Sequence, residues 1–150
     1  MLAERVAREA GREIAGSEDL LVALATVDPD AADALEAAGT SADEVKRRVA
    51  EWGHAGPPVP QASFSPTLHR AVLRATRYAA QERMPHVTGR HLLRGLLEGE
   101  DEVVWRVLIS LGVDPGPLAN RERHTRHEVH APHRARARWS LLRLPVLWKT

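Results

Sequence analysis

The residues best equipped for chemistry lie late in the chain. His124, His127, His130 and His133 recur at every third position in HTRHEVHAPH. Imidazoles at i, i+3 spacing on a helix can share one Zn, Ni or Cu ion, which makes His124, His127 and His130 the candidate ligands. Against this, Pro132 breaks the helix before the fourth histidine, and Arg123, Arg126 and Arg134 repel a cation. A solvated tail accounts for the same composition, so no metal and no other cofactor is expected. Arg134, Arg136 and Arg138, followed by Trp139, are cations of the kind that neutralise phosphates, but they are few, and nucleic acid is not the expected partner. Beyond them Trp139, Leu141, Leu142, Leu144, Val146, Leu147 and Trp148 form an apolar end suited to docking on the body or on a second copy.

Other catalytic apparatus is missing. With no Cys in 150 residues, an iron–sulfur cluster, a thiol nucleophile and cysteine-based zinc sites are excluded, and a reducing compartment, by default the cytoplasm, is expected. His69, His86 and His91 stand singly with no nucleophile beside them, and no GxxxxGK[ST] phosphate loop occurs. An enzyme is therefore not expected. The first ten residues alternate charged with apolar types, unlike a signal peptide, and no run approaches a membrane span. The net charge of +1 conceals an asymmetry: residues 1–120 carry −5 and residues 121–150 carry +6.

The elements that position these residues are helices, and they come twice. AGSEDLLVAL at residues 15–24 returns 72 positions later within VTGRHLLRGLL at residues 87–97. In each copy a polar turn precedes a Leu-Leu pair and a further Leu, which share one stripe of a helix. Around these, Leu2 to Ala10 predicts a short helix ended by Gly11. Ser17 is the expected cap of the next helix, Asp28-Pro29 starts a third, and Ser41 with Glu44 forms a capping box for a fourth whose apolar face is Val45, Val49 and Trp52. Residues 53–63, rich in Gly and Pro, read as a linker. Ser65-Pro66 starts a long helix to about Arg83; helices from Thr88, from about Val103 and from Asp114-Pro115 follow. Leu35 and Gly39 match Leu108 and Gly112 at an offset of 73, so one inserted residue keeps the series in step. Strand signals are missing. The expectation is an all-α domain of two pseudo-symmetric four-helix repeats, 2–52 and 64–120, followed by a basic tail from 121 to 150.

Phe64-Ser65-Pro66 at a helix start, Thr88 to Leu97 as a Thr-Gly-Arg-His-Leu-Leu turn and helix, and Val103 to Val113 closing on Leu-Gly-Val together resemble the N-terminal domain of Clp ATPases. The resemblance covers about residues 2–120 and implies a double four-helix repeat without the ATPase motor. It further implies a domain that receives protein substrates and adaptors, in some branches through two pockets for phosphorylated arginine. Each such pocket pairs a hydroxyl at the start of a repeat's first helix with an acid in the polar turn. On this chain the first repeat keeps Ser17 and Glu18 in the turn, but its first helix starts at Leu2, too late for the hydroxyl. The second keeps Ser65 and Thr88 but has Arg90 where the acid belongs. Reversing one charge at close range turns an attraction of about 4 kcal/mol into a repulsion of similar size, so arginine recognition is not expected there, and Arg90 suits a phosphate or carboxylate instead. The plainer account is that Ser17, Glu18, Thr88 and Arg90 cap and solvate their helices. Phe64 is either a hydrophobic staple near Leu68 or Leu118, or the apolar lip of a groove.

The expected function is a non-catalytic protein- or peptide-binding domain that regulates, or competes in, Clp-dependent proteolysis. Its candidate contact residues are Ser17, Glu18, Phe64, Ser65, Thr88 and Arg90, and its partner is a protein or peptide, a Clp ATPase or its substrates. Two other classes remain open: a small-molecule or anion sequestering module protecting a Clp machine, and a regulator binding nucleic acid or metal through its tail.

Overall fold

Local capping chemistry starts the helices where side-chain oxygens can satisfy the first free N–H groups. The computed structural model describes residues 2–53, 56–99 and 101–124. Within them eight helices follow in order: α1 (Leu2–Glu9), α2 (Ser17–Val27), α3 (Pro29–Ala37), α4 (Ala42–Trp52), α5 (Pro66–Gln81), α6 (Gly89–Leu97), α7 (Glu102–Ser110) and α8 (Pro115–His124). Asp28 Oδ1 accepts from the Ala31 N–H at 2.9 Å, Ser65 Oγ from Leu68 at 3.1 Å, and Asp101 Oδ1 from Val103 at 3.0 Å. The Ser41 box is complete: Oγ accepts from Glu44 N at 3.3 Å while Glu44 Oε2 accepts from Ser41 N at 2.9 Å.

One start differs from expectation. Ser17 is the first helical residue and is buried; the cap is Gly16, whose N–H donates to Asp19 Oδ2 at 2.9 Å. Glycine brings no oxygen of its own, so the acid three residues on closes the turn.

The helix ends show the repeat in three dimensions. Gly11 (φ 73°) and Arg83 (φ 55°) turn left-handed after α1 and α5, and Gly39 (φ 101°) and Gly112 (φ 78°) after α3 and α7. In each case the next N–H reaches back five residues, Arg12 to Ala7 O at 2.8 Å and Met84 to Ala79 O at 2.9 Å, Thr40 to Leu35 O and Val113 to Leu108 O both at 3.0 Å. The two halves are thus built on one plan, which gives an all-α fold of two pseudo-symmetric four-helix repeats.

Helices α2 and α6 lie at the centre. Leu20, Leu21, Leu93, Leu96 and Leu97 are at most 2% exposed, each stabilising the fold by roughly 1.5–3 kcal/mol through burial. The halves interlock, since α3 packs on α6 and α7 packs on α2. Trp52, expected on the inner face of α4, is 48% exposed instead, because Val45 and Val49 already fill that contact.

A short parallel pair, absent from the sequence-based expectation, ties the segment before α2 to the segment before α5. These strands, β1 (Ile14–Ala15) and β2 (Ser63–Phe64), are bracketed by Ser63 N donating to Glu13 O at 2.8 Å and Ser65 N to Ala15 O at 2.9 Å. Two residues are too few to carry an alternating pattern. The Pro-rich stretch before β2 lies along the end of α1, with Val59 N donating to Arg8 O at 3.1 Å.

Candidate functional site

At the N-terminus of α2 one acid, Asp19, is buried and the other, Glu18, is half-buried. Asp19 is fully buried, forms an ion pair with Arg12 and accepts the Gly16 N–H. Burial pushes its carboxyl up from the ordinary range, opposed by the Gly16 hydrogen bond and by Arg12. Glu18 folds back over Gly16, where a Cβ would lie 2.2 Å from its Oε2. Burial raises the Glu18 carboxyl as well, and the negative charges of Asp19 and Asp101 add to that, against its own backbone hydrogen bond and Arg12. A raised acid amid like charge is a poor partner for an anion.

The matching end of α6 is built from different groups. Thr88 caps it; its N–H donates to His91 Nδ1 at 3.0 Å, and its hydroxyl lies 2.8 Å from the same nitrogen. A backbone N–H can only donate, so Nδ1 accepts and the ring proton sits on Nε2, 3.1 Å from Glu82 Oε2. His91 is nearly buried and stands where the first half has Asp19. Asp28, the cap of α3, lies over Gly89: a Cβ there would fall 2.0 Å from Asp28 Oδ2. The helix N-terminus that suited a bound phosphate or carboxylate thus already faces a carboxylate of the other half. Arg90 is half-buried and engaged in interactions of its own.

Ser17 with Glu18 and Thr88 with Arg90 therefore belong to two separate ends, each approached by an aspartate from the opposite half, Asp101 and Asp28. Phe64 is half-buried against the core in β2, and the Ser65 hydroxyl is engaged by Leu68 N and by Thr67 Oγ1 at 3.0 Å.

An apolar cleft lies elsewhere. A cleft of about 350 Å³ between α1, α2 and α4 is lined by Leu2, Val6, Ala10, Val22, Ala23, Thr26 and Val49, with Arg5, Glu9 and Lys46 among its charged residues. A smaller hollow of about 90 Å³, sharing Arg12, Val49 and Gly53 with it, is lined by Glu18, Trp52 and Val103. At the 72-residue offset, Leu2, Val6, Ala10, Val22 and Thr26 correspond to Arg74, Tyr78, Glu82, Arg94 and Glu98. There the surface is closed by a polar network. The Arg94 guanidinium stacks 3.8 Å from the Tyr78 ring centroid, and its Nε donates to Glu98 Oε1 at 3.0 Å. Tyr78 donates its hydroxyl proton to Glu98 Oε2, and Arg74 Nε donates to Gly95 O at 2.8 Å. The same backbone plan presents an apolar cleft on one side and a sealed charged surface on the other.

A family model described as the Clp repeat (R) N-terminal domain matches residues 1–111. The chain belongs to this family. Solved structures agree on the fold. The N-terminal domain of the caseinolytic protease associated chaperone ClpD from Arabidopsis thaliana is 22% identical, with 79% of this chain and 82% of that one covered at a TM-score of 0.63. The Hsp104 N-terminal domain from Candida albicans is 16% identical over 84% and 85% at 0.69. A structure from preliminary structural investigations of a malarial protein secretion system is 20% identical over 87% of this chain and 91% of that one at a TM-score of 0.70. No curated protein matches.

The buried Arg12–Asp19 pair, the Asp28–Gly89 approach and the apolar cleft were missed by motif reading. Extending the 72-residue comparison from the leucines to positions 2, 6, 22 and 26 would have marked a difference between the halves, because Leu2, Val6, Val22 and Thr26 correspond to Arg74, Tyr78, Arg94 and Glu98. Among the described residues no group of three His, Cys, Asp or Glu side chains is placed to hold a metal ion, and no helix is long and apolar enough to cross a membrane. Of the metal candidates His124, His127 and His130, the last two lie outside the described residues, as do the arginines 134, 136 and 138 and the apolar run from Trp139.

Proposed function

We propose that this chain is a non-catalytic, cytoplasmic Clp-type domain, without cofactor, that binds apolar segments of protein chains in the α1–α2–α4 cleft and so supplies substrates to, or competes for, a Clp protease machine. The reading keeps the division into repeats 2–52 and 64–120, a linker 53–63 and a tail from 121. One observation carries it: the cleft is apolar where the matching surface of the second half is closed by Tyr78, Arg94 and Glu98. Its volume lies at the small end of ligand pockets, roughly 300–1,000 Å³, enough for a few side chains of an extended or helical segment. Leu2 and Val27, both exposed, extend the apolar rim. Ser17, Glu18, Phe64, Ser65, Thr88 and Arg90 contribute in this reading by holding the helix starts beside the cleft and in the second half.

The test is fluorescence anisotropy with a labelled heptapeptide of Leu and Val against a Ser/Gln control. Binding of the first alone is expected, weakened at least tenfold by Leu2→Glu with Val27→Glu, which alter exposed positions and spare the core. Equal affinity in the double variant would remove the cleft from the reading. A small-molecule sequestering role predicts instead that the peptide fails while a compact ligand binds the same cleft.

A further inference from the structure

We infer that the chain carries its own occupant for the cleft: the apolar run 139–148, which docks there and must be displaced before an external segment binds. This rests on the reading of the cleft as a binding site. The run, WSLLRLPVLW, has seven Trp, Leu or Val residues in ten and a single charge, Arg143. Such a run left in water exposes a large apolar surface. The residues between it and α8 are of the opposite kind, half of 125–138 being His or Arg, so the apolar run is the part of the tail suited to an apolar cleft.

Reach and charge favour the intramolecular arrangement. Fourteen residues separate the run from α8 and reach at most about 50 Å. A body of this size is about 35 Å across, so every face is within range. The body's −5 attracts the tail's +6 to the body as a whole at low salt, whereas the cleft's own lining, Arg5, Arg12 and Lys46 against Glu9, adds no attraction, so its apolar residues select the cleft. A tethered segment sees its site at an effective concentration in the millimolar range, so even a weak contact is populated. Pro145 forbids one continuous helix through the run, so only a few side chains, around Leu142 to Leu147, enter a cleft of about 350 Å³.

The experiment compares the full chain with a full-length variant bearing Leu142→Ser, Leu144→Ser, Val146→Ser and Leu147→Ser. Methyl NMR signals of Leu2, Val6, Val22 and Val49 should shift in the variant, and the labelled Leu/Val heptapeptide should bind it about tenfold tighter than the unaltered chain, which corresponds to about nine-tenths occupancy by the tail. In the unaltered chain the same signals should not move on thirtyfold dilution. Unshifted cleft methyls with unchanged peptide affinity overturn the inference and leave the cleft reading standing. Failure of the peptide on both chains overturns the cleft reading, and shifted methyls alone would then still place the tail there. Dilution-dependent signals overturn the intramolecular form in favour of a second copy.

Discussion

The carboxylate of Asp28, in the first half of the chain, stands so close over Gly89 of the second that a Cβ would meet its Oδ2 at 2.0 Å. Asp28 cannot swing aside without cost, since its Oδ1 caps α3 through the Ala31 N–H. Gly89→Ala should therefore destabilise by about 1–2 kcal/mol in urea unfolding, although alanine is the better helix former. In an Asp28→Ala background, where the carboxylate is gone, the same substitution should become neutral or stabilising. Equal cost in both backgrounds would show that the two residues do not couple.

Arg12 and Asp19 form the second such relationship, inside one half. Asp19 is wholly buried and Arg12 is its cation. Arg12→Met should cost about 3 kcal/mol at neutral pH, because it strands a buried carboxylate. Adding Asp19→Asn removes that stranded charge and should recover most of the loss. A double variant no more stable than Arg12→Met would show that the guanidinium acts only through packing.

Glu18 gives the pH dependence. Its carboxyl titrates higher folded than unfolded, chiefly through burial, so the native state holds the proton more tightly. That contribution is present at low pH and is lost as pH rises from the ordinary carboxylate range through the raised folded value. Glu18→Gln should raise Tm by about 2–4 °C at pH 7.5, with the gain shrinking towards zero near pH 4. A pH-independent gain would assign the effect to something other than ionisation.

Arg83 occupies the left-handed position that glycine holds after α1, with φ 55° and an exposed side chain. An L side chain there costs about 1 kcal/mol that glycine avoids. Arg83→Gly should accordingly stabilise by roughly 0.5–1 kcal/mol, offset in part by the greater freedom of the unfolded chain. Denaturant midpoints of the two proteins decide it; a lower midpoint for the variant would mean that Arg83's own contacts outweigh the strain.

What the sequence by itself determined is the part governed by neighbours a few residues apart. Leucine spacing, the Ser41–Glu44 box, Asp28-Pro29, Ser65-Pro66 and the Gly11, Gly39 and Gly112 terminators act within one helical turn or its end, so the helices and their doubling were legible, and the Clp resemblance followed from the same stretches. The exceptions are local too: Gly16 displaced Ser17 as the cap because Asp19 could reach back, and two-residue strands carry no period. Tertiary structure alone decided the rest. Asp28 meets Gly89, Arg12 meets Asp19, and α7 brings Asp101 towards Glu18 only after helices from distant parts of the chain cross. Which face of the repeat stays open was likewise decided there. Leu2, Val6, Val22 and Thr26 are ordinary helix residues in sequence, and they become a cleft because no Tyr78–Glu98–Arg94 network closes over them. Backbone plan is set by short-range pattern, whereas a surface is set by which long side chains reach one another across it.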